Sequence, residues 1–172
     1  MTTNAPGGGR ILGSLGSADG KGVVRIEDGF DTSVDDVWSA LTDPSRLARW
    51  HGEVEGDLRR GGECHARLFS TGWEGTGRVE ACEPQQRLLV RMKDADESDE
   101  NVIEVTPTAD AEHSVVVWEE RGMPVDQISA YGAGVQIQVD ELADHLGGRE
   151  RRDEARARWD ELHPAYRDLT GR

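Results

Sequence analysis

Apolar residues recur along this chain at two different periods, and the change from one to the other organises it. Between Lys21 and Phe30, the apolar markers Val24, Ile26 and Phe30 predict a half-buried strand. A shorter piece, Arg10 to Leu15, can pair back onto it, because Asp19-Gly20 favours a tight hairpin turn. The period then becomes helical. Ser33 can cap a helix, Asp36 adds negative charge to its first turn, and Val34, Val37, Trp38 and Leu41 fall at helical spacing. Asp43-Pro44 restarts the chain as a second short helix that carries Leu47 and Trp50 on one side.

Strand-like segments follow at 53–58, 63–69, 73–82, 87–93, 101–106 and 114–120, separated by turn residues such as Gly61-Gly62 and Glu83-Pro84. Strands this close in sequence predict an antiparallel meander. After Gly122-Met123-Pro124 the apolar period lengthens to about 3.6 residues. Val125, Ile128, Tyr131 or Gly132, Val135, Val139, Leu142 and Leu146 mark one face of a long helix that starts at Pro124 and stops at Gly147-Gly148. A last helical segment carries Ala155, Trp159, Leu162, Tyr166 and Leu169, and Pro164 inside it predicts a kink or a split.

This order has one economical solution, an α+β domain whose curved antiparallel sheet wraps the long helix while the two short helices close one end. Residues 1–9 read as a disordered leader, 10–148 as the domain and 149–172 as a C-terminal helical extension. The extension packs either on its own domain or on a partner chain, as in a homodimer. Gly132 and Gly134 weaken the long helix by about 0.5–1 kcal/mol each and so need a reason. Close backbone approach is one; room for a ligand is the other.

Charge and cysteine usage narrow the setting. A net charge of −14 over 172 residues is unfavourable for nucleic-acid backbones and for anionic membranes. No apolar run reaches the roughly 18 residues of a membrane span, and the first residues lack the apolar stretch of a signal peptide. Cys64 and Cys82 lie in strand segments without metal spacing and read as free thiols, which makes the cytoplasm the expected location.

The stretch from Asp35-Asp36-Val37-Trp38 through Thr42-Asp43-Pro44 to Arg49-Trp50 resembles the opening signature of the activator of heat-shock-protein ATPase homologue (AHSA-type) family. That family lies within the SRPBCC/START-like superfamily. Asp57-Leu58-Arg59-Arg60-Gly61-Gly62, Gly75-Thr76-Gly77-Arg78-Val79 and Glu83-Pro84-Gln85-Gln86-Arg87-Leu88 are similar to later stretches of the same family, in the expected order. The resemblance spans roughly residues 23 to 146 and implies a helix-grip (START-like, Bet v-like) fold around a hydrophobic cavity. It departs from the usual pattern at His51, where relatives carry a second aromatic, and in the tail from Glu150 onward.

Tests for chemistry come out negative or weak. The five histidines form no metal pattern, and no cofactor is expected. The acidic run 94–100 starts like a calcium loop, but Asp99 replaces the turning glycine and Val105 the bidentate glutamate. Gly72, Gly75 and Gly77 lie in strand sequence, so no phosphate cradle follows, and there is no GxSxG elbow. One of Glu119 and Glu120 must point inward or lie at the rim. No residue is assigned a catalytic role. The expected pocket residues are Trp50, His51, Phe69, Trp73, Trp118, Tyr131 and Val135, with Trp38 assigned to core. The leading expectation is binding of a hydrophobic, lipid-like or polyketide-like molecule in the cavity. A chaperone-associated or self-associating interaction module comes second. A cyclase or dehydratase using His51, His65, Glu119 or Tyr131 comes third.

Overall fold

Asp19 and Gly20 both adopt positive φ, 55° and 78°, which suits the twist of a two-residue hairpin turn. They join β1 (Gly13–Ala18) to β2 (Lys21–Phe30) in the computed structural model, which describes residues 11–94, 100–151 and 154–170. The leader expected over residues 1–9 and most of the acidic run lie outside the described residues.

Ser33 caps α1 (Val34–Thr42) by accepting a hydrogen bond from the Asp36 amide, and Asp43 caps α2 (Pro44–Trp50) through the Ser45 amide. Arg46 ties these helices together, with its guanidinium 2.8 Å from Asp36 Oδ1 and its Nε donating to His145 Nε2 at 3.1 Å. The two helices carry the chain to the far edge of the sheet. From there it returns through β3 (Gly52–Gly56), β4 (Glu63–Leu68), β5 (Glu74–Glu83), β6 (Arg87–Asp94), β7 (Glu100–Asp110) and β8 (His113–Met123). The last strand pairs with β2, giving one eight-stranded antiparallel sheet in the order β1-β2-β8-β7-β6-β5-β4-β3. Register shifts at Gly22/Val23 and Val79/Ala81 are the kind of irregularity that bends a strand and helps the sheet curve.

After β8, a single turn of 3-10 helix (Val125–Gln127) precedes α3 (Ile128–Leu146). Val125 was expected on the buried face but is 47% exposed. Pro124 is extended (ψ 138°), so the chain has not yet entered the α-helix at Val125. From Ile128 onward the expected face holds: Val135, Val139 and Leu142 pack against Val24, Ile26, Val105, Val116 and Trp118 of the sheet. This is the helix-grip arrangement.

Two proline effects differ from expectation. β7 runs through Pro107 instead of stopping at Thr106. Past Val105 it pairs with β8 alone, so it is an edge there and the missing N–H is tolerated. α4 (Ala155–Thr170) is continuous through Pro164. Pro164 is exposed, so solvent can satisfy the carbonyl it frees, while Leu162 and Tyr166 on either side are anchored on α3.

The extension therefore docks on its own domain. Leu162 and Tyr166 bury against Ala133 and Ile137 on the back of α3, and Arg158 pairs with Asp140. Gln136 Oε1 accepts from Tyr166 Oη at 2.6 Å and from the Leu12 amide at 3.0 Å, fastening the N-terminal segment, α3 and α4 at one point. The two helix glycines separate here. A Cβ at Gly132 would lie 2.7 Å from Tyr166 Cδ1 and 3.1 Å from Leu15 Cδ2 of β1, so this glycine serves close approach, most tightly to α4. Gly134 has its nearest such neighbour at 4.0 Å and borders open space.

Candidate ligand cavity between sheet and long helix

That open space is a cavity of about 250 Å³. Strand alternation supplies one wall: Trp118 faces inward on β8, so Glu120, two residues on, does too. Ile103 and Asn101 come from β7, Met92 and Asp94 from β6. α3 supplies Ala130, Tyr131, Gly134, Val135 and Gln138, and Trp159 reaches in from α4. A smaller inner cavity of about 90 Å³ lies deeper, among Leu41, Val54, Leu88, Val105 and Trp118. His51, Met92 and Ile103 line both cavities and so stand between them.

Of the seven residues expected at the pocket, His51, Trp73, Tyr131 and Val135 line the larger cavity. Trp118 and Trp50 line the inner one. Trp50 is chiefly core: it is 2% exposed and its Nε1 donates to the Ala40 carbonyl at 3.1 Å. Phe69 lies off both cavities, with the Arg151 guanidinium 4.8 Å from its ring centroid. β4 ends at Leu68, so Phe69 falls outside the strand alternation that would have aimed it inward. Two candidates for acid–base work also point away. His65 is on the outer face beside Glu74, because its neighbours Cys64 and Ala66 face inward. Glu119 is outside, 2.6 Å from the Arg121 guanidinium.

The inward carboxyl is Glu120. It is 8% exposed, and Asn101 Nδ2 donates to its Oε1 at 3.3 Å. Burial pushes its pKa up to about 7, against the opposing pull of that hydrogen bond. His51 is pushed down to about 4 by burial, so its imidazole is neutral near pH 7. The same cavity is lined by buried acceptors without a partner among the described residues: Asn101 Oδ1 and Gln138 Oε1, in residues 9% and 8% exposed. Trp118 Nε1, at the inner cavity, is a donor likewise without a partner among the described residues. A buried polar atom without a partner costs about 1–3 kcal/mol, so two at one cavity mark a place built to meet something polar. Asp94, by contrast, accepts from Trp73 Nε1 at 2.7 Å, which fixes that indole as a wall.

Glu120, Asn101, Gln138 and Trp159 were not among the expected pocket residues. Three of them left a trace in the sequence. Glu120 shares the strand parity of Trp118, Asn101 that of Ile103 and Val105, and Gln138 falls on the helical stripe of Tyr131 and Val135. A polar residue on an apolar stripe was the signal. Among the described residues no group of three or more His, Cys, Asp or Glu is placed to hold a metal ion.

Residues 31–147 match the family model described as activator of Hsp90 ATPase homolog 1-like protein (AHSA1). The chain belongs to the AHSA1 family. Solved structures agree with this AHSA1 assignment in fold. CalU16 from Micromonospora echinospora is 26% identical, with a TM-score of 0.76 over 93% of this chain and 98% of that one. DynU16, a protein in the dynemicin biosynthetic locus, is 29% identical, with a TM-score of 0.70 over 76% of this chain and half of its own. EF2215 from Enterococcus faecalis shares the fold, with a TM-score of 0.70, at 17% identity. No curated protein matches the chain. The AHSA1 match ends before α4, so Trp159, which closes part of the cavity, lies outside the matched region. No helix among the described residues is long and apolar enough to cross a membrane.

Proposed function

We propose that this AHSA1-family protein binds a hydrophobic small molecule in the cavity between sheet and α3. The observation that carries the reading is the combination of apolar and aromatic walls with buried, unpartnered polar atoms at the same space. The occurrence of DynU16 in the dynemicin biosynthetic locus supports a lipid-like or polyketide-like ligand. A cytoplasmic setting suits the two free cysteines, one of them buried. Native mass spectrometry of the purified protein, followed by solvent extraction, tests the reading. The expected result is a co-purifying apolar molecule that is lost when Gly134 is replaced by a bulky residue. Failure of the protein to retain any apolar compound, native or added, would count against it.

A second reading rests on Glu120 and His51. A carboxyl near neutrality and an uncharged imidazole lining one cavity are the kinds of group a proton-transfer reaction uses, as in a cyclase or dehydratase. If the protein turns over an extracted ligand, Glu120→Gln should abolish turnover while binding persists. For the interaction-module reading, Leu162 and Tyr166 of α4 pack on α3 of the same chain, while Leu169 stays 49% exposed.

A further inference from the structure

The larger cavity is electrically one-sided. Two carboxyls, Glu120 and Asp94, line it, and no Lys or Arg among the described residues does. Glu120 accepts from Asn101 Nδ2, and the carbonyl oxygens of Asn101 and Gln138, which line the same cavity, have no partner among the described residues; all three residues are about nine-tenths or more buried. This pole therefore consists mainly of acceptors. Three aromatic side chains, Trp73, Tyr131 and Trp159, line the same space.

Resting on the binding reading above, we infer that the ligand is an apolar molecule bearing a protonated amine, whose ammonium meets Glu120, Asn101 and Gln138. An ammonium offers three donors, matching three acceptors, whereas a hydroxyl offers one. A cation also compensates a buried carboxylate, which among the described residues has the Asn101 amide as its hydrogen-bond partner. Aromatic faces attract cations through their ring quadrupoles, and Trp is the strongest of them. The net charge of −14 draws cations toward the protein and repels anions. A ligand carrying a carboxylate or phosphate head would meet the reverse of each of these terms.

Isothermal titration of the full chain with three matched probes tests the inference: 2-(1-naphthyl)ethylamine, 2-(1-naphthyl)ethanol and 1-naphthylacetate. The amine is expected to bind at least tenfold more tightly than the alcohol, and the carboxylate most weakly. In Glu120→Gln, which keeps the shape and the Asn101 contact, the amine-to-alcohol preference should fall to within about twofold of unity. Equal binding of amine and alcohol, tighter binding of the carboxylate, or an amine preference that survives in Glu120→Gln would overturn the inference and leave the cavity reading standing. Binding of none of the three would overturn both.

Discussion

Replacing Gly132 and Gly134 separately by alanine should have opposite effects on stability, although the two positions are two residues apart on the same helix. In a helix interior, Gly→Ala gains about 0.5–1 kcal/mol from backbone entropy. At Gly134 that gain is kept. The new Cβ meets nothing closer than Trp159 Cζ3 at 4.0 Å, an ordinary contact. At Gly132 the Cβ would lie 2.7 Å and 3.0 Å from two Tyr166 ring carbons and 3.1 Å from Leu15 Cδ2. Tyr166 cannot simply swing away, because its hydroxyl is held by Gln136 at 2.6 Å and the ring is wholly buried. Overpacking of this kind costs about 1–3 kcal/mol, which exceeds the propensity gain. Gly134→Ala is therefore expected to raise stability by about 0.5–1 kcal/mol, and Gly132→Ala to lower it by about 1–2 kcal/mol. Urea unfolding followed by far-UV circular dichroism reads both, and unchanged m-values would confirm that the midpoint shifts report stability. A stabilising Gly132→Ala would refute the close packing of α4 on α3. The same Gly134→Ala change should weaken retention of large ligands, since the added methyl group enters the cavity.

Further outcomes follow from the same packing. Leu162→Ala removes a fully buried side chain between α4 and α3 and should cost about 2–5 kcal/mol in thermal or urea unfolding. Tyr166→Phe keeps the ring but deletes the Gln136 bond, and a loss of about 1 kcal/mol is expected; Gln136 still accepts from Leu12, which limits the damage. Glu120 binds its proton more tightly when folded, so wild-type stability should fall as pH rises from about 4.5 to about 7 on its account. The Glu120→Gln variant lacks that loss and should gain on wild type by about 3 kcal/mol between pH 4.5 and 8, measured as the difference in unfolding free energy. His51 acts in the other direction: with its pKa lowered to about 4, it withdraws stability as pH falls from about 6.5. Because Glu141, also pushed up to about 7 by burial, opposes His51 in the same window, the His51 share is read as the stability of Glu120→Gln minus that of a Glu120→Gln/His51→Gln double variant. That difference should rise with pH from about 4 to about 6.5, and a flat difference would refute the buried, neutral His51.

The sequence alone determined the order of elements, because periods of two and 3.6 and the cap and turn residues are local properties. Ser33, Asp43, Asp19-Gly20 and Gly147 act within a few residues of themselves, and the chain follows them. The departures are where a distant partner decides. Pro107 is tolerated because β6 has ended beside it, and Pro164 because α3 holds the helix on both sides of it. Strand parity already placed Glu120 with Trp118, but only the curved sheet and the long helix together show that it meets Asn101 and lines one cavity with Gln138. The tail's apolar stripe was plain in the sequence, yet nothing local distinguished its own α3 from a neighbour's. That choice rests on Gly132 opposite Tyr166 and on Gln136, a buried amide joining three segments, and both are complementarities across the fold. Periodicity reports which face of an element is buried. Only tertiary structure reports against what.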